Sequence, residues 1–490
     1  MANTNRRHTL DQAGEYTLDR CEIVSYKNAE DNRPRTVDIK LITGSIELVE
    51  NIYQSCMIGK IQVFDSNDIR TILPITGFEK LNLKFQTPGQ TGVDHTEENG
   101  RQFHIYKIES VSQDDKAQRT QGYDIFFTSR ESYFNLMSKV SKAYSGPIED
   151  AIEDILRNKK FLNSNRALVF EPTKTNAKYV IPSLRPLDAI KYLCTQAISQ
   201  KYNNAGYCFY ETPAGYFFRS LESMYAVNGT AGRPHKFDYY YQIQNVGKDV
   251  NVDMHSVKAY HIHKPINVLE NMDYGMYANR LIVHDAFNKT IKTHDFDYYN
   301  TFGDYFHVET QGGNKTFVKQ LIPFAKFEDT NKDISQFPQG RTSVVTETSK
   351  VHNDFEFVPT KDTLPISLSQ QQSLHNNILD LIVPGNSYLT AGDIISFHLP
   401  LLRPVGDGEK QQLNPHHSGR YLITSIKHNI NAEMGQYEMS LKCSKDAVKD
   451  GYMAERDTYQ IDAEEKIAYD IYEEDQRILS TMKVDPLDYT

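Results

Sequence analysis

Apolar and polar residues alternate along several stretches of the first quarter of the chain. A period of two residues is typical of β-strands that have one buried and one wet face. Polar segments at 87–100 and 112–122, which contain Gly and Asp, separate these stretches and suit hairpin ends. The pattern predicts an antiparallel sheet or barrel over residues 17–134. Its alternating positions include Val37, Ile39, Leu41, Leu81, Leu83, Phe85, Phe103, Ile105, Tyr123, Ile125 and Phe127.

The spacing of apolar residues changes after residue 145. Apolar residues recur three and four positions apart after Pro147, where two acidic residues fall in the first turn, and again after Pro186. Both patterns predict amphipathic helices that begin at a proline. The aromatic runs Tyr207 to Tyr210 and Tyr216 to Phe218 predict a hairpin. Residues 135–252 are therefore expected to form a separate α+β unit.

The second half of the chain contains segments that resemble the first. Residues 49–65 align without a gap on residues 269–285, at an offset of 220, with identical residues at Glu50/Glu270, Asn51/Asn271, Val63/Val283 and Asp65/Asp285. Three later matches follow in the same order. They align Leu83 to Pro88 with Ile395 to Pro400, Phe103 to Ile105 with Leu422 to Thr424, and Tyr123 to Phe127 with Tyr437 to Leu441. The order of the matches predicts a duplicated module, because repeats of this kind mark repeated structural units.

The predicted fold is mainly β with α+β insertions, and it contains two similar antiparallel β-barrels per chain. The predicted domains are a first barrel at 1–134, an α+β domain at 135–252, the first part of a second barrel at 253–290, a polar and extended insertion at 291–375, the second part of the second barrel at 376–447, and an acidic arm at 448–490.

The charge of the chain is concentrated at its C-terminal end. Of the 490 residues, 54 are Lys or Arg and 64 are Asp or Glu, a formal net charge of −10. Residues 451–490 carry eleven acids and four bases, so they account for −7 of that charge. This balance argues against a protein whose affinity comes from neutralising phosphates.

Membrane insertion and structural disulfides are not indicated by the sequence. No stretch approaches the roughly 18 uncharged apolar residues that a membrane helix needs, and the polar N-terminus lacks an apolar signal region. The five cysteines are scattered without C-x-x-C spacing, so we expect buried free thiols rather than disulfides or a zinc site.

A few histidines and aspartates are candidates for chemistry. His261 and His263 lie on one side of a predicted strand, as two ligands of a metal site would, and His416 and His417 could add to them. The pairs His284-Asp285 and His294-Asp295, with Asp297, could serve as acid and base groups. Asp285, however, recurs as Asp65 without a histidine beside it, which favours a turn-capping role.

Motifs for phosphate binding and for common hydrolases are absent from the sequence. The prediction is therefore a protein that is not an enzyme and has no cofactor and no bound metal. The alternatives are a metal-dependent hydrolase using His261 and His263, a cell-wall glycosidase using Asp295 and Asp297, and a carbohydrate-binding adhesin built on aromatic strands.

The duplicated segments and their order resemble the baseplate hub proteins of contractile-tailed phages of the T-even type. Related folds form the N-terminal part of the spike proteins of type VI secretion and other contractile injection machines. The resemblance covers roughly residues 15–450 and rests on Ser129 to Asn135, Val140 to Tyr144, Gly275 to Leu281 with Asp285, and Gly419 to Asp446.

The resemblance implies a structural role in a virion. In that family two tube-like barrels per chain and three chains form a ring with pseudo-sixfold symmetry. The ring joins the hexameric tail tube protein to a trimeric central spike protein, contacts other baseplate subunits and leaves a channel that DNA passes without specific binding. The implied protein is a homotrimer, made in the host cytoplasm and located in the phage tail baseplate. A hub or spike component of a bacterial contractile injection or type VI secretion system is the alternative.

The acidic arm has a thin apolar stripe that could bind a partner. Ala463, Ile467 and Ile471 recur four apart, and Ile478 and Met482 continue the stripe. An isolated helix of this length is marginal in water. The sequence therefore predicts either a solvated tail or a docking arm anchored by Ile467, Ile471 and Ile478.

Overall fold

A computed structural model describes residues 10–449, except for 26–34, 74, 114–119, 175–176, 226–234, 242–248, 265–266, 286–287, 311–317, 321–325, 328–331, 348–359 and 402–412. The described chain is mainly β, with several antiparallel sheets and shorter helical segments between them. This confirms the predicted mainly-β class with helical insertions.

Twenty-six strands and nine α-helices are described. The strands are β1 (Thr17–Val24), β2 (Thr36–Asp38), β3 (Thr43–Asn51), β4 (Ile58–Asp65), β5 (Lys80–Gln86), β6 (Val93–His95), β7 (Phe103–Gln113), β8 (Gln121–Ser129), β9 (Val140–Gly146), β10 (Leu168–Phe170), β11 (Ala177–Leu184), β12 (Tyr207–Thr212), β13 (Gly215–Ser220), β14 (His235–Tyr240), β15 (Ala259–Lys264), β16 (Ala278–Asp285), β17 (Thr290–Asp297), β18 (Val318–Gln320), β19 (Lys326–Phe327), β20 (Lys332–Asp333), β21 (Thr342–Glu347), β22 (Ile378–Pro384), β23 (Ile394–His398), β24 (Gly419–Asn431), β25 (Gln436–Ser444) and β26 (Ala447–Lys449). The helices are α1 (Ile69–Ile72), α2 (Arg130–Met137), α3 (Ile148–Arg157), α4 (Pro186–Cys194), α5 (Leu221–Tyr225), α6 (Val250–Met254), α7 (Val268–Asp273), α8 (Tyr298–Thr301) and α9 (Leu364–Leu374).

One large sheet of fourteen strands dominates the fold. Its main path runs β15-β22-β25-β24-β3-β4-β8-β7-β5-β1-β2, while β23 pairs with β24 and with β14, and β6 pairs with β5. Every neighbouring pair from β15 to β7 is antiparallel. Over the described residues the sheet is open, with β15 and β2 at its ends, and no closed barrel is present. Two separate barrels therefore remain a prediction.

One face of the large sheet is buried and the other is exposed to solvent, because apolar and polar residues alternate along its strands. In β4, Ile61 and Val63 are fully buried, whereas Lys60 and Gln62 on the opposite face are partly exposed. A single apolar core collects the buried side chains from both ends of the sheet. Burying one such side chain contributes about 1.5–3 kcal/mol.

The predicted α+β segment has its own core. Helix α3 begins directly after Pro147, and helix α4 begins with Pro186, as the sequence predicts. Both helices pack against the hairpin β12–β13, which also confirms the predicted aromatic hairpin. Strand β14 also falls within the predicted α+β segment. It pairs in parallel with β23 of the large sheet instead of with the strands of that segment.

A buried ion pair links the α+β segment to the large sheet. Glu211 in β12 pairs with Arg166, and both side chains are almost completely buried. Glu211 Oε2 also accepts hydrogen bonds from the backbone N–H of Met57 (2.7 Å) and the hydroxyl of Ser129 (2.6 Å). Because Met57 precedes β4 and Ser129 ends β8, this one carboxylate ties three segments together. Burial lowers the pKa of Arg166.

The match at an offset of 220 residues does not reflect equivalent structure. β4 and β16 start and end at matching positions, but Val49 to Asn51 belong to strand β3, whereas Leu269 to Asp273 are helical. β16 lies in a separate sheet, between antiparallel β17 and parallel β21. The prediction that residues 269–285 repeat residues 49–65 is wrong, because similar strand alternation arises in differently connected sheets.

All five cysteines are free thiols. Cys21, Cys194, Cys208 and Cys443 are buried and Cys56 is partly buried, which confirms the prediction. Burial raises the pKa of Cys21 to about 12, so its thiolate is suppressed. No helix in the described ranges has the length and apolar character needed to span a membrane.

Candidate assembly surface

Two runs of four strands within the large sheet have the same pairing order. The first run is β3-β4-β8-β7 and the second is β15-β22-β25-β24. In each run the last two strands form an antiparallel hairpin, and a further strand pairs with the start of the final strand: β5 with β7, and β23 with β24. The repeated order agrees with the three later sequence matches, each of which pairs strands at corresponding positions of the two runs.

A β-bulge lies at the same place in both hairpins. The register of β7 with β8 shifts between Ile105 and Lys107, and that of β24 with β25 shifts between Ile423 and Ser425. A bulge inserts one residue into a strand and bends it, so a shared bulge is a specific structural feature.

The bulges also correct the register of the sequence matches. When the two bulges are aligned, Phe103 and Ile105 correspond to Tyr421 and Ile423. Each of these residues is one position away from the predicted Leu422 and Thr424. A one-residue slip moves side chains to the opposite face of a sheet.

The other two matches are displaced by two residues, which preserves the face. Ile125, rather than Phe127, corresponds to Leu441, because these residues lie opposite Ile61 and Leu381. Leu81, rather than Leu83, corresponds to Ile395, because Leu81 lies opposite Phe103 and Ile395 lies opposite Tyr421.

The two runs are joined edge to edge inside the chain. The second half of β24, from Ser425 to Asn431, pairs antiparallel with β3. Behind this joint, buried Glu50 accepts a hydrogen bond from His428 Nε2 (3.0 Å), and His428 Nδ1 lies 2.7 Å from the hydroxyl of Tyr437. Burial raises the pKa of the Tyr437 hydroxyl, which keeps it protonated.

The two outer ends of this eight-strand segment present the same elements as the joint. The second half of β7 corresponds to the part of β24 that pairs with β3, apart from a second bulge between Glu109 and Ser112, and no described strand pairs with its outer side. β15 corresponds to β3, and its outer side is likewise unpaired by any described strand. Along the β7 edge, Tyr106 and Val111 are 45% and 48% exposed. Along the β15 edge, Tyr260 and Ile262 pack against the core but are only partly buried.

The comparison with solved structures finds phage tail and secretion proteins. They include a tail protein from Neisseria meningitidis, with 8% identity and a TM-score of 0.48 over 88% of this chain and 97% of that chain. The 43 kDa tail protein of prophage MuSo2 from Shewanella oneidensis has 8% identity and a TM-score of 0.45 over 87% and 98% of the two chains. A type VI secretion component from E. coli has 10% identity and a TM-score of 0.37 over 91% and 79%.

The structural neighbours are thus phage tail and type VI secretion proteins, the two groups that the sequence resemblance names. No family model and no curated protein matches the sequence.

The histidines singled out in the sequence lie on strand β15 and in a loop. The rings of His261 and His263 are 4.4 Å apart, and His263 Nε2 lies 2.5 Å from Asp380 on the neighbouring strand. His416 and His417 lie before β24, where their backbone N–H groups bond to Asn414. Among the residues with described positions, no group of three His, Cys, Asp or Glu side chains could hold a metal ion.

The aspartates singled out in the sequence bond to neighbouring backbone or to arginine. Asp285 and Asp65 each accept a hydrogen bond from a backbone N–H shortly after the strand that they end, which confirms the turn-capping interpretation. Asp297 caps helix α8 through the N–H of Asn300. Asp295 pairs with Arg280 through two hydrogen bonds, and this pairing lowers its pKa.

The predicted arm anchors Ile467, Ile471 and Ile478 lie outside the described residues. Sequence reasoning also missed the edge residues Tyr260 and Ile262, although their alternation with His261 and His263 marks an amphipathic strand. The buried pair Arg166–Glu211 left no signal in the sequence, because its partners are distant along the chain.

Proposed function

We propose that this protein is a structural hub subunit of a contractile phage tail baseplate, which assembles into a ring through its open strand edges. One observation carries the proposal: the joint between β24 and β3 has counterparts at both outer ends of the eight-strand segment. The β7 edge of one chain can pair with the β15 edge of the next chain as β24 pairs with β3. Exposed strand edges are templates for such pairing.

The ring is proposed to be a homotrimer. Each chain supplies two runs with the same pairing order, so three chains present six similar runs and twenty-four sheet strands. A threefold ring with two like modules per chain matches a sixfold partner above and a threefold partner below. The number of chains, the tail tube protein, the central spike protein and other baseplate subunits as partners, and a DNA channel come from the sequence resemblance.

The proposal assigns no catalytic chemistry to the chain and locates it in the virion. The exposed Arg280–Asp295 pair and the His263–Asp380 contact fit surface ion pairing rather than an acid and base pair in a cleft.

A disulfide across the proposed edge tests the ring directly. In the joint, Asn429 lies opposite Glu47. Their counterparts are Ser112, which lies opposite Gly122, and His261, which lies opposite Asp380. Residues opposite each other in a sheet have Cβ atoms about 4.5–5.5 Å apart, close to disulfide range. We expect the Ser112→Cys/His261→Cys protein, after mild oxidation, to give a covalent ladder that ends at three chains on a denaturing gel.

The control carries Ser112→Cys with Ser440→Cys, since Ser440 lies on the interior strand β25 with strands on both sides. This control should remain monomeric on the gel. Absence of cross-linking in the test variant, or an equal ladder in the control, would contradict pairing of β7 with β15. A ladder that ends at another number would contradict the trimer.

The acidic arm is proposed to dock on a neighbouring baseplate or spike subunit. Its charge of −7 suits a basic groove, and Ile467, Ile471 and Ile478 would supply the apolar contacts. Deleting residues 455–490 is expected to leave a ring with the same number of chains but to abolish its sedimentation with baseplate partners. A matched variant that replaces only the three isoleucines with Ser keeps the charge and should fail equally. Normal assembly of either variant would contradict the docking role and indicate that the arm only aids solubility.

A further inference from the structure

The internal joint between the two runs includes an apolar contact beyond the paired strands. After β3 ends, the backbone N–H of Ile52 bonds to the carbonyl of Thr424 in β24 (3.0 Å). The buried side chain of Ile52 belongs to an apolar cluster that includes Leu422 of β24 and Ala391 in the turn before β23. The residue that follows the edge strand β3 is therefore buried in a cluster that extends onto the other run.

The turn before β5 has the same hydrogen bonds as the turn before β23. The Glu79 carboxylate accepts bonds from the N–H (2.8 Å) and the hydroxyl (3.0 Å) of Thr76, and the Asp393 carboxylate accepts both from Thr390 (2.8 and 3.1 Å). The backbone carbonyl of each acidic residue accepts a bond from the strand residue just before the shared bulge, at 2.9 Å in both runs. The surfaces beside the two turns therefore correspond.

At the outer end of the first run, this surface exposes apolar side chains. Phe78 in the turn and Leu136 and Met137 at the end of α2 are 65% to 70% exposed. Tyr133 of α2 holds the helix against the turn, because its hydroxyl donates to the carbonyl of Gly77 (2.9 Å). Leu136 and Met137 lie three and four positions after Tyr133, on the same side of the helix. We call Phe78, Leu136 and Met137 the α2 patch.

An exposed apolar side chain also follows the outer edge strand β15. Strand β15 corresponds to β3, and helix α7 begins four residues after β15 ends. Within α7, Leu269 is 82% exposed, whereas Val268 and Met272 pack against a buried cluster. Leu269 therefore follows β15 closely, as the buried Ile52 follows β3.

The charges of the two surfaces have opposite sign. Helix α7 contains two acidic residues and no basic one, and its Asp273 is exposed. Beside the α2 patch, Lys80 and Lys139 are exposed, whereas the nearby carboxylates of Glu79 and Glu131 are buried. Complementary charge favours contact between unlike surfaces and disfavours contact between two copies of the same surface.

We propose that helix α7 of one chain docks on the α2 patch of the next chain, with Leu269 as its apolar anchor. The inference rests on the proposed function, because pairing of β15 with β7 brings the end of β15 to the turn that contains Phe78. The internal joint is the template, since Ile52 is buried there beside the corresponding turn. Docking covers the α2 patch and Leu269 together, and exposed apolar patches of this kind mark contact sites between proteins.

The test variants are Leu269→Ser and Leu136→Ser/Met137→Ser, each in the full-length chain. Because all three side chains are exposed in one chain, we expect unchanged unfolding temperatures. In a dilution series measured by mass photometry, the concentration at which half of the chains are in rings should rise about tenfold or more for either variant, because a buried apolar contact is lost. The combined variant should be weakened by less than the product of the two factors, because both remove the same contact.

The matched control is Ile291→Ser, which removes an apolar side chain that is 70% exposed on β17, in the separate sheet. This control should not weaken the ring. Wild-type rings that neither test variant weakens, an equal loss in the control, or fully multiplicative losses in the combined variant would overturn the docking of α7 and leave edge pairing intact. Absence of rings in the wild type would contradict the proposed function, and the inference with it.

Discussion

Replacing Ile262 with Asp is expected to leave the chain folded but to abolish the ring. Ile262 lies at the open edge strand β15, on the core side, and is only partly buried within one chain. Its counterpart Leu48 is fully buried because β24 covers that edge. A carboxylate at position 262 can reach water in a single chain, whereas strand addition would bury it at a cost of several kcal/mol at every interface.

Native mass spectrometry and thermal unfolding of the same protein measure this prediction. The control is His261→Asp, one position away on the wet face, which should keep the ring. Ile108→Asp places the same charge on the opposing edge of β7 and should also give single chains. Rings that persist in both core-side variants would contradict edge pairing between β7 and β15.

Replacing Glu211 with Leu is expected to destabilise the protein by about 3–5 kcal/mol, because it leaves the buried guanidinium of Arg166 without its ion-pair partner. Arg166 is 4% exposed and would lose the carboxylate with which it forms an ion pair. The backbone N–H of Met57 and the hydroxyl of Ser129 would lose their acceptor as well. The measurement is the urea midpoint of unfolding at neutral pH.

The matched control is Glu153→Leu, whose ion pair with Arg157 is exposed and 4.0 Å long. Such a pair contributes at most about 1 kcal/mol. The double variant Arg166→Met/Glu211→Leu should lose less stability than the two single variants together. In the double variant the buried positive charge is removed along with its partner. Equal shifts for Glu211→Leu and Glu153→Leu would show that the buried pair has no special role.

The sequence predicts the strands and their correspondence better than their pairing. Alternation identifies the strands of the first run, and prolines at 147 and 186 mark the starts of two helices. The three short later matches identify corresponding strands of the two runs. Their registers are displaced by one or two residues, because a bulge such as that at Ile105 and Lys107 depends on tertiary packing and not on a residue type.

The match at an offset of 220 fails for a different reason. β16 has the same alternation as β4, but alternation reports only one wet and one buried face, not the identity of neighbouring strands. The strands that do correspond to β3 and β4 are β15 and β22, which are separated by a long insertion instead of a short turn. No local signal connects Tyr260 to Leu381, its partner across that insertion.

The separation of β3 from β24 along the chain has a consequence for synthesis on the ribosome. The first run is complete once β8 has emerged, whereas β24 begins roughly 290 residues later. At about 5–20 residues per second, the β3 edge stays uncovered for roughly 15–60 s. During that time it can accept β24 from a neighbouring chain on the same messenger, giving a swapped dimer. We therefore expect the yield of correctly joined chains to fall as translation slows between residues 130 and 418.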